Sequence, residues 1–426
     1  MSSLELPIWD AIAPGDPAAV GVDGVVPRYH ARPASPEGVA TLLRACAERG
    51  LAVLPRGGGT RLGIGNPLRS LDLVLDTGAL DAVVEYESAD LTITVQAGMP
   101  LARLQAVLAE QGQMLPLDPP AETASTVGGV VAANASGPLR YAFGTARDLV
   151  LGTRVANTDG TITRAGGKVV KNVAGYDLNK LHVGGLGCLG VLTELSFKLQ
   201  PLPASTRTLA LRFDTVAAQA AFLAAVVRSN LGPLAIEALG PTASGAAGLG
   251  ERRHVVLRLG GYPHAVERQA SDLPKLATNH GGHLVENADG LWDRVRNLQV
   301  QPAANLLVKA GVPISATSAT MEQLQERLAD FAPRVWGHAG NGVVYASASA
   351  DDERTETLAE LLAQLRQELR GVDTSASLVL LKAPLALKRH IDVWGDAGDG
   401  LPLMRSVKAA LDPTSTLNPG RFVGGI

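Results

Sequence analysis

Gly185, Gly187 and Gly190 spell the spacing G-x-G-x-x-G, and the residues just after Gly190 constrain the fold more than any other feature of the chain. A dinucleotide fingerprint of that form needs a strand before it and a helix after it, so that the pyrophosphate meets a helix N-terminus. Here the sequel is Val191-Leu-Thr-Glu-Leu-Ser-Phe197, whose alternation is that of a half-buried strand. A Rossmann domain is therefore excluded, and the glycines must serve another fold. They are abundant, 47 of 426 residues, so tight turns and close backbone approaches are expected.

With 46% apolar and 19% charged residues the chain is a globular one of two or three domains. Its net charge of −3 gives no positive field for a polyphosphate backbone, which argues against a nucleic-acid partner. Cys46 and Cys188 are too few for a disulfide framework or a thiolate cage, and they read as small buried hydrophobes in a reducing compartment. Met1 to Asp10 lacks the basic-then-apolar pattern of a signal peptide. The uncharged stretch Thr123 to Leu139 is broken by Gly128, Gly129, Asn134, Gly137 and Pro138 and cannot span a membrane. A cytoplasmic protein is expected.

From Arg32 to Pro203 short apolar runs alternate with amphipathic segments. Helices are predicted over Pro36–Arg49, stopped by Gly50, and over Pro100–Gln111, stopped by Gly112. Strands are predicted at Leu51–Leu54, Leu71–Leu75, Leu91–Val95 and Val191–Leu199, with a hairpin turning at Asp159-Gly160. Beyond Pro203 come strands at Leu209–Phe213, Val255–Leu259 and Val343–Ser347, and helices at Val216–Val227, Met321–Phe331, Asp352–Leu369 and Leu401–Leu411. The Gly-Ala-Ser stretch Gly240 to Gly250 reads as a surface loop. The expected fold class is α+β with two domains: residues 1–203, residues 204–400, and a C-terminal segment 401–426 that returns to the first.

Four segments could carry chemistry. Arg56-Gly57-Gly58-Gly59-Thr60-Arg61 comes directly after a strand, and consecutive glycines let backbone N–H groups converge on an anion; read alone, it is equally a flexible turn. It lacks the Gly-Lys-Ser/Thr ending of a Walker loop. The Gly185–Gly190 turn is the second. The third runs from Asp118 through Ser125, Thr126, Gly128, Gly129, Ala133, Asn134 and Ser136 to Tyr141 and Asp148, with small residues and hydroxyls suited to lie along a long polar ligand. The fourth, Gly166 to Asp177, offers Lys168 and Lys171 as ligand contacts but reads more readily as a solvated loop.

Taken in order, these segments and the ending Leu417-Asn-Pro-Gly420 resemble the FAD-binding domain of the vanillyl-alcohol oxidase and p-cresol methylhydroxylase superfamily, and within it the second FAD-binding subunits of bacterial glycolate oxidases. The resemblance spans nearly the whole chain. It implies that Arg56 and Gly57 to Arg61 wrap the FAD pyrophosphate. It also implies that Asp118 to Thr126 and Ala133 to Ser136 line the ribityl chain and flavin, and that Gly187, Gly190 and Val191 sit by the adenosine. Some members attach flavin through a histidine in the first loop; this chain has none there, so the FAD is expected to be non-covalent.

The catalytic subunits of that family share H-x-G-D-G-N-x-H and a later E-H-G, whose histidines can hold a metal. Here the first reads His338-Ala-Gly-Asn341-Gly-Val343-Val-Tyr345 and the second is missing from Leu378–Leu385, so His338 is expected to be a hydrogen-bonded structural histidine. His280 and His283 are close in sequence, but no third ligand declares itself. No metal is expected. The resemblance implies an FAD-binding subunit of a 2-hydroxy-acid-oxidising complex, with a related FAD-binding catalytic subunit and an iron–sulfur subunit as partners. The complex would be cytoplasmic or peripheral at the inner membrane. A self-sufficient dehydrogenase and a flavin-free assembly subunit are the alternatives.

Overall fold

The computed structural model describes residues 21–168, 176–286, 289–300 and 304–426. Ser35 starts the first helix, Pro36–Ala47, by accepting the Gly38 N–H at 3.1 Å, and Pro36 fills its first turn. The apolar face, Val39, Leu42, Leu43 and Cys46, packs on a parallel sheet of Tyr29–Ala31, Leu73–Asp76 and Val53–Arg56. The last of these strands begins two residues later than its apolar run predicts. The reason is that Leu51 N–H is spent on Cys46 O at 3.0 Å and Ala52 N–H on the Asp72 carboxylate at 2.9 Å.

A five-stranded antiparallel sheet comes next, in the order Val83–Glu87, Thr92–Gln96, Val191–Lys198, Val150–Ala156, Ile162–Gly166. Gly190 leads straight into the central strand, as the alternation predicts, and Gly160 (φ +84°) turns the expected hairpin. Ile93, Val95, Leu195 and Phe197 face helices Leu101–Ala109 and Val127–Ala132 across a buried core.

The second half is one eight-stranded antiparallel sheet, ordered Gly282–Val285, Ser205–Phe213, Arg253–Gly261, Ala235–Leu239, Arg334–His338, Val343–Ala348, Leu306–Gly311, Ser377–Lys382. Helices Val216–Arg228, Pro263–Thr278, Thr317–Arg327 and Thr355–Val372 cover one face. On the other face a smaller core gathers around Trp336 and Tyr345. The expected surface loop at Gly240–Gly250 is a correction: Pro241–Ala246 is a helix, and Ala243 and Ala247 are fully buried in that core. Small side chains here permit close approach to Trp336 rather than exposure.

The C-terminal helix Leu401–Leu411 lies on the first half of the molecule. Its only buried residue is Lys408, whose ammonium donates to Asp412 Oδ2 (2.6 Å), Cys188 O (2.8 Å) and Leu417 O (2.9 Å). Asp412 also accepts from the N–H groups of Thr416 and Leu417, and Leu417 bridges to Val53 beside the parallel sheet. Among the described residues no helix is long and apolar enough to cross a membrane. Asp412→Ala leaves a buried ammonium without its counter-charge and should cost about 3–5 kcal/mol. The urea midpoint reads this, and a loss under about 1 kcal/mol would show that water or a neighbour replaces the carboxylate.

Candidate functional site

The glycines of the Gly57–Arg61 loop are there because neighbouring chain presses on Gly57 and Gly58 and because Gly59 takes a left-handed backbone. A Cβ on Gly58 would meet Ala124 O at 1.8 Å, and one on Gly57 would meet Thr126 Oγ1 at 2.1 Å. Gly59 takes φ +75°, which favours glycine. Thr60 Oγ1 lies 3.3 Å from Ser125 Oγ, and an Arg61 guanidinium nitrogen donates to Pro120 O at 3.3 Å. Thr126 accepts from Gly129 N–H and caps the helix Val127–Ala132, while Gly128 N–H donates to Ala97 O at 2.7 Å. The first and third segments are thus two walls of one groove.

Two adjoining hollows make up this groove. One is lined by Arg56 to Leu62, Thr126, Gly129 and Ala133. The other shares Arg56, Gly57 and Gly129 with it and continues along Gly128, His182, Gly187, Gly190 and Val191. Asp118, Ser125, Asn134 and Ser136 lie outside both linings. Asp118 is buried and accepts the Leu139 N–H on both carboxylate oxygens (3.1 and 3.2 Å). Burial pushes its carboxyl well above the usual range, against that hydrogen bond and the charge of Arg296. Ser136 accepts from Arg140 at 3.3 Å, and Asn134 turns the chain at φ +44°. In the fourth segment Lys168 is exposed and pairs with Glu85, while Lys171 lies outside the described residues.

Sequence reasoning missed three groove residues. Asn418 and Arg421 reach the first hollow from the C-terminal segment. Their signal is the Leu417–Gly420 ending, which marks the segment without giving its side chains a role. His182 lines the second hollow, and burial pushes its imidazole down to about 4, so it is neutral at pH 7. Burial holds both cysteine thiols at about 11, so Cys46 and Cys188 are not thiolates.

A second group of polar side chains is buried where helix Arg140–Phe143 meets the eight-stranded sheet. Glu237 and His338 are directly paired across adjacent strands, and His338 Nδ1 lies 2.7 and 2.9 Å from the two carboxylate oxygens. The Nε2 atom is buried without a partner. The Tyr345 ring packs against the imidazole at 5.2 Å, and burial raises its hydroxyl to about 12. Lys309 pairs with Tyr345 across the next strand, and burial followed by the charge of Arg140 pushes its ammonium down to about 8. His338 is therefore hydrogen-bonded, as expected. Among the described residues no three His, Cys, Asp or Glu side chains come together as a metal site.

The FAD binding domain family profile matches residues 27–166, and that of the C-terminal domain of FAD linked oxidases matches residues 394–422. The glycolate oxidase subunit GlcD of Bacillus subtilis is 28% identical over 420 residues, covering 92% of this chain and 87% of that one. The glycolate oxidase subunit GlcE of Escherichia coli K12 is 44% identical over 156 residues, 36% of this chain and 44% of that one. In fold, p-cresol methylhydroxylase with substrate bound superposes with a TM-score of 0.76 at 14% identity, covering 97% and 93% of the two chains. The chain has the p-cresol methylhydroxylase-type FAD-binding fold, and it is an FAD-dependent oxidoreductase.

The groove fits the cofactor. Arg56 Nε, Asn418 Oδ1 and Arg421 Nη1 are buried there without partners, and each such group costs about 1–3 kcal/mol until something bonds to it. Gly58→Val drives a side chain into Ala124 O and should reduce bound flavin by at least about tenfold. The 450 nm to 280 nm absorbance ratio of the purified chain reads the loss, with circular dichroism confirming the fold. Full retention would mean the loop does not border the cofactor.

Proposed function

We propose that this chain is the FAD-binding subunit of a complex that oxidises glycolate or a related 2-hydroxy acid, and that it holds its FAD non-covalently. Oxidation of the acid then falls mainly to a related FAD-binding catalytic subunit, with an iron–sulfur subunit carrying electrons onward. The observation that carries this reading is the contrast between the two polar sites. The groove is lined by glycines and by unsatisfied donors suited to FAD. In the second cluster, His338 Nδ1 is already taken by Glu237, and the phenol Tyr345 stands in the seventh position after His338. The 44% identity with GlcE over its matched stretch supports the same reading.

On this reading Arg56 and the N–H groups of Gly57 to Arg61 hold the pyrophosphate. Thr126, Gly128, Gly129 and Ala133 border the ribityl chain, Ser125 stands behind them against Thr60, and Gly187, Gly190 and Val191 border the adenosine. Asp118 acts as a positioning residue through the Leu139 backbone, and Asn134 and Ser136 shape the turn at the end of the groove. Bound FAD would supply a two-electron acceptor. Residues 1–203 would form the cofactor unit, 204–400 the cap, and 401–426 the segment returning to the groove.

Anaerobic glycolate tests the assignment. The flavin of the isolated chain should stay oxidised and bleach only when the catalytic subunit is added. Prompt bleaching by the chain alone would sink the division of labour, and a chain that neither contains nor rebinds flavin would leave an assembly role.

One observation favours a self-sufficient dehydrogenase as the second reading: Lys309, Arg140 and the free Nε2 of His338 belong to one buried polar cluster. Lys309 is charged below about pH 8 and neutral above it. A small carboxylate held there should bind more weakly as pH rises through about 8, and Lys309→Met should abolish that step. Calorimetric titration with glycolate from about pH 6.5 to about pH 9 checks this, and a flat profile in the parent chain excludes this cluster as its site.

A further inference from the structure

The back of the phosphate-loop segment is held by two cations from remote parts of the chain, and one of them has a free donor. Three consecutive carbonyls, at Leu62, Gly63 and Ile64, are bound by guanidinium or ammonium groups. Arg421 Nε donates to Ile64 O at 2.8 Å and its Nη2 to Leu62 O, while Lys388 Nζ donates to Gly63 O at 2.9 Å and to Asp23 Oδ1 at 2.8 Å. Lys388 is 1% exposed at its side chain and Arg421 is 3% exposed, so neither charge is solvated. Gly65 makes room for this clamp: a Cβ there would lie 2.6 Å from Arg421 Cγ and 2.7 Å from Arg421 O. Asn66 N–H and the Trp394 indole N–H both donate to that Arg421 carbonyl, at 2.9 and 3.0 Å.

With Nε and Nη2 spent on the loop, the guanidinium is fixed in orientation. Nη1 remains buried without a partner, in a residue that lines the hollow beside Gly57–Arg61. A planar fork with two donors fixed and one free is pre-organised for a single anionic oxygen. We propose that Arg421 binds the pyrophosphate of the cofactor through Nη1, and that Lys388 is a positioning residue that sets the loop by holding Gly63. The assignment rests on the reading that the Gly57–Arg61 groove takes the FAD diphosphate.

The test compares two flavins on the full-length chain stripped of cofactor. FAD carries the pyrophosphate and riboflavin does not, and each is titrated by fluorescence. Arg421→Met should weaken FAD by about 10- to 100-fold, the range of one charge-assisted bond, and leave riboflavin unchanged. Arg421→Lys should fall between, and Lys388→Met should weaken FAD by several-fold without touching riboflavin. Inorganic pyrophosphate supplies a readout that needs no variant: at millimolar concentration it should compete with FAD in the parent chain. Equal weakening of both flavins in the variants would make Arg421 a structural residue and overturn the assignment. So would FAD binding in Arg421→Met as tight as in the parent, or no competition by pyrophosphate. A parent chain that binds no FAD at all would remove the underlying reading and the assignment with it.

Discussion

One ammonium group ties the C-terminal segment to the glycine turn 220 residues upstream. Lys408 Nζ holds the Cys188 carbonyl in the glycine turn, the Leu417 carbonyl beside the parallel sheet, and the Asp412 carboxylate that closes its own helix. A lysine buried in this way is stable only while all three acceptors are present, because a desolvated charge costs several kcal/mol without compensation. The geometry of the groove depends on this. The turn at Gly187 is held against Pro55, and Asn418 donates to Leu186 O at 2.7 Å. Arg421 is then carried to the phosphate loop a few residues further on. The helix Leu401–Leu411 contributes little apolar burial of its own, and its role is to deliver one charge to one place.

The two polar regions differ in how they are satisfied. In the groove the backbone is committed and side-chain donors are left over, which suits a ligand rich in oxygen. In the second cluster Glu237 binds Nδ1 of His338 and leaves Nε2 free, and the Lys309, Tyr345 and Arg140 side chains around them come from two further strands and a short helix. Burial acts in opposite directions on the groups there, lowering Lys309 and raising Tyr345, so both favour their neutral forms relative to water. The Trp336 and Tyr345 rings stack beside this cluster, with centroids 5.5 Å apart.

Much of the first half is legible in the sequence because its signals are local. Alternation after Gly190 announces a strand, Ser35-Pro36 announces a helix start, and clustered glycines mark where backbone approaches backbone. Contacts between distant residues are not legible. Glu237 and His338 are 101 positions apart, and only the register of two strands brings them together. Arg421 looks like an ordinary terminal arginine, because its importance lies in carbonyls 357 and 359 residues upstream, flanking the one that Lys388 binds. Gly240–Gly250 misleads because small residues signal a loop and a tight helix packing equally well. The helix Pro263–Thr278 buries only a narrow stripe, Val266, Gln269, Leu273 and Ala277, in a largely polar segment that also contains Pro274.

The clamp on the phosphate loop also sets an order of events during synthesis. Residues 57 to 64 leave the ribosome early, yet the Ile64 carbonyl waits for a guanidinium 357 residues later in the chain. Val53 likewise waits for the Thr416 carbonyl and the Asn418 N–H before its own N–H and carbonyl are covered. Until that late segment has emerged, the nascent first half holds an open and only partly braced groove. A polypeptide cut short before Arg421 would leave the Leu62 and Ile64 carbonyls without their guanidinium.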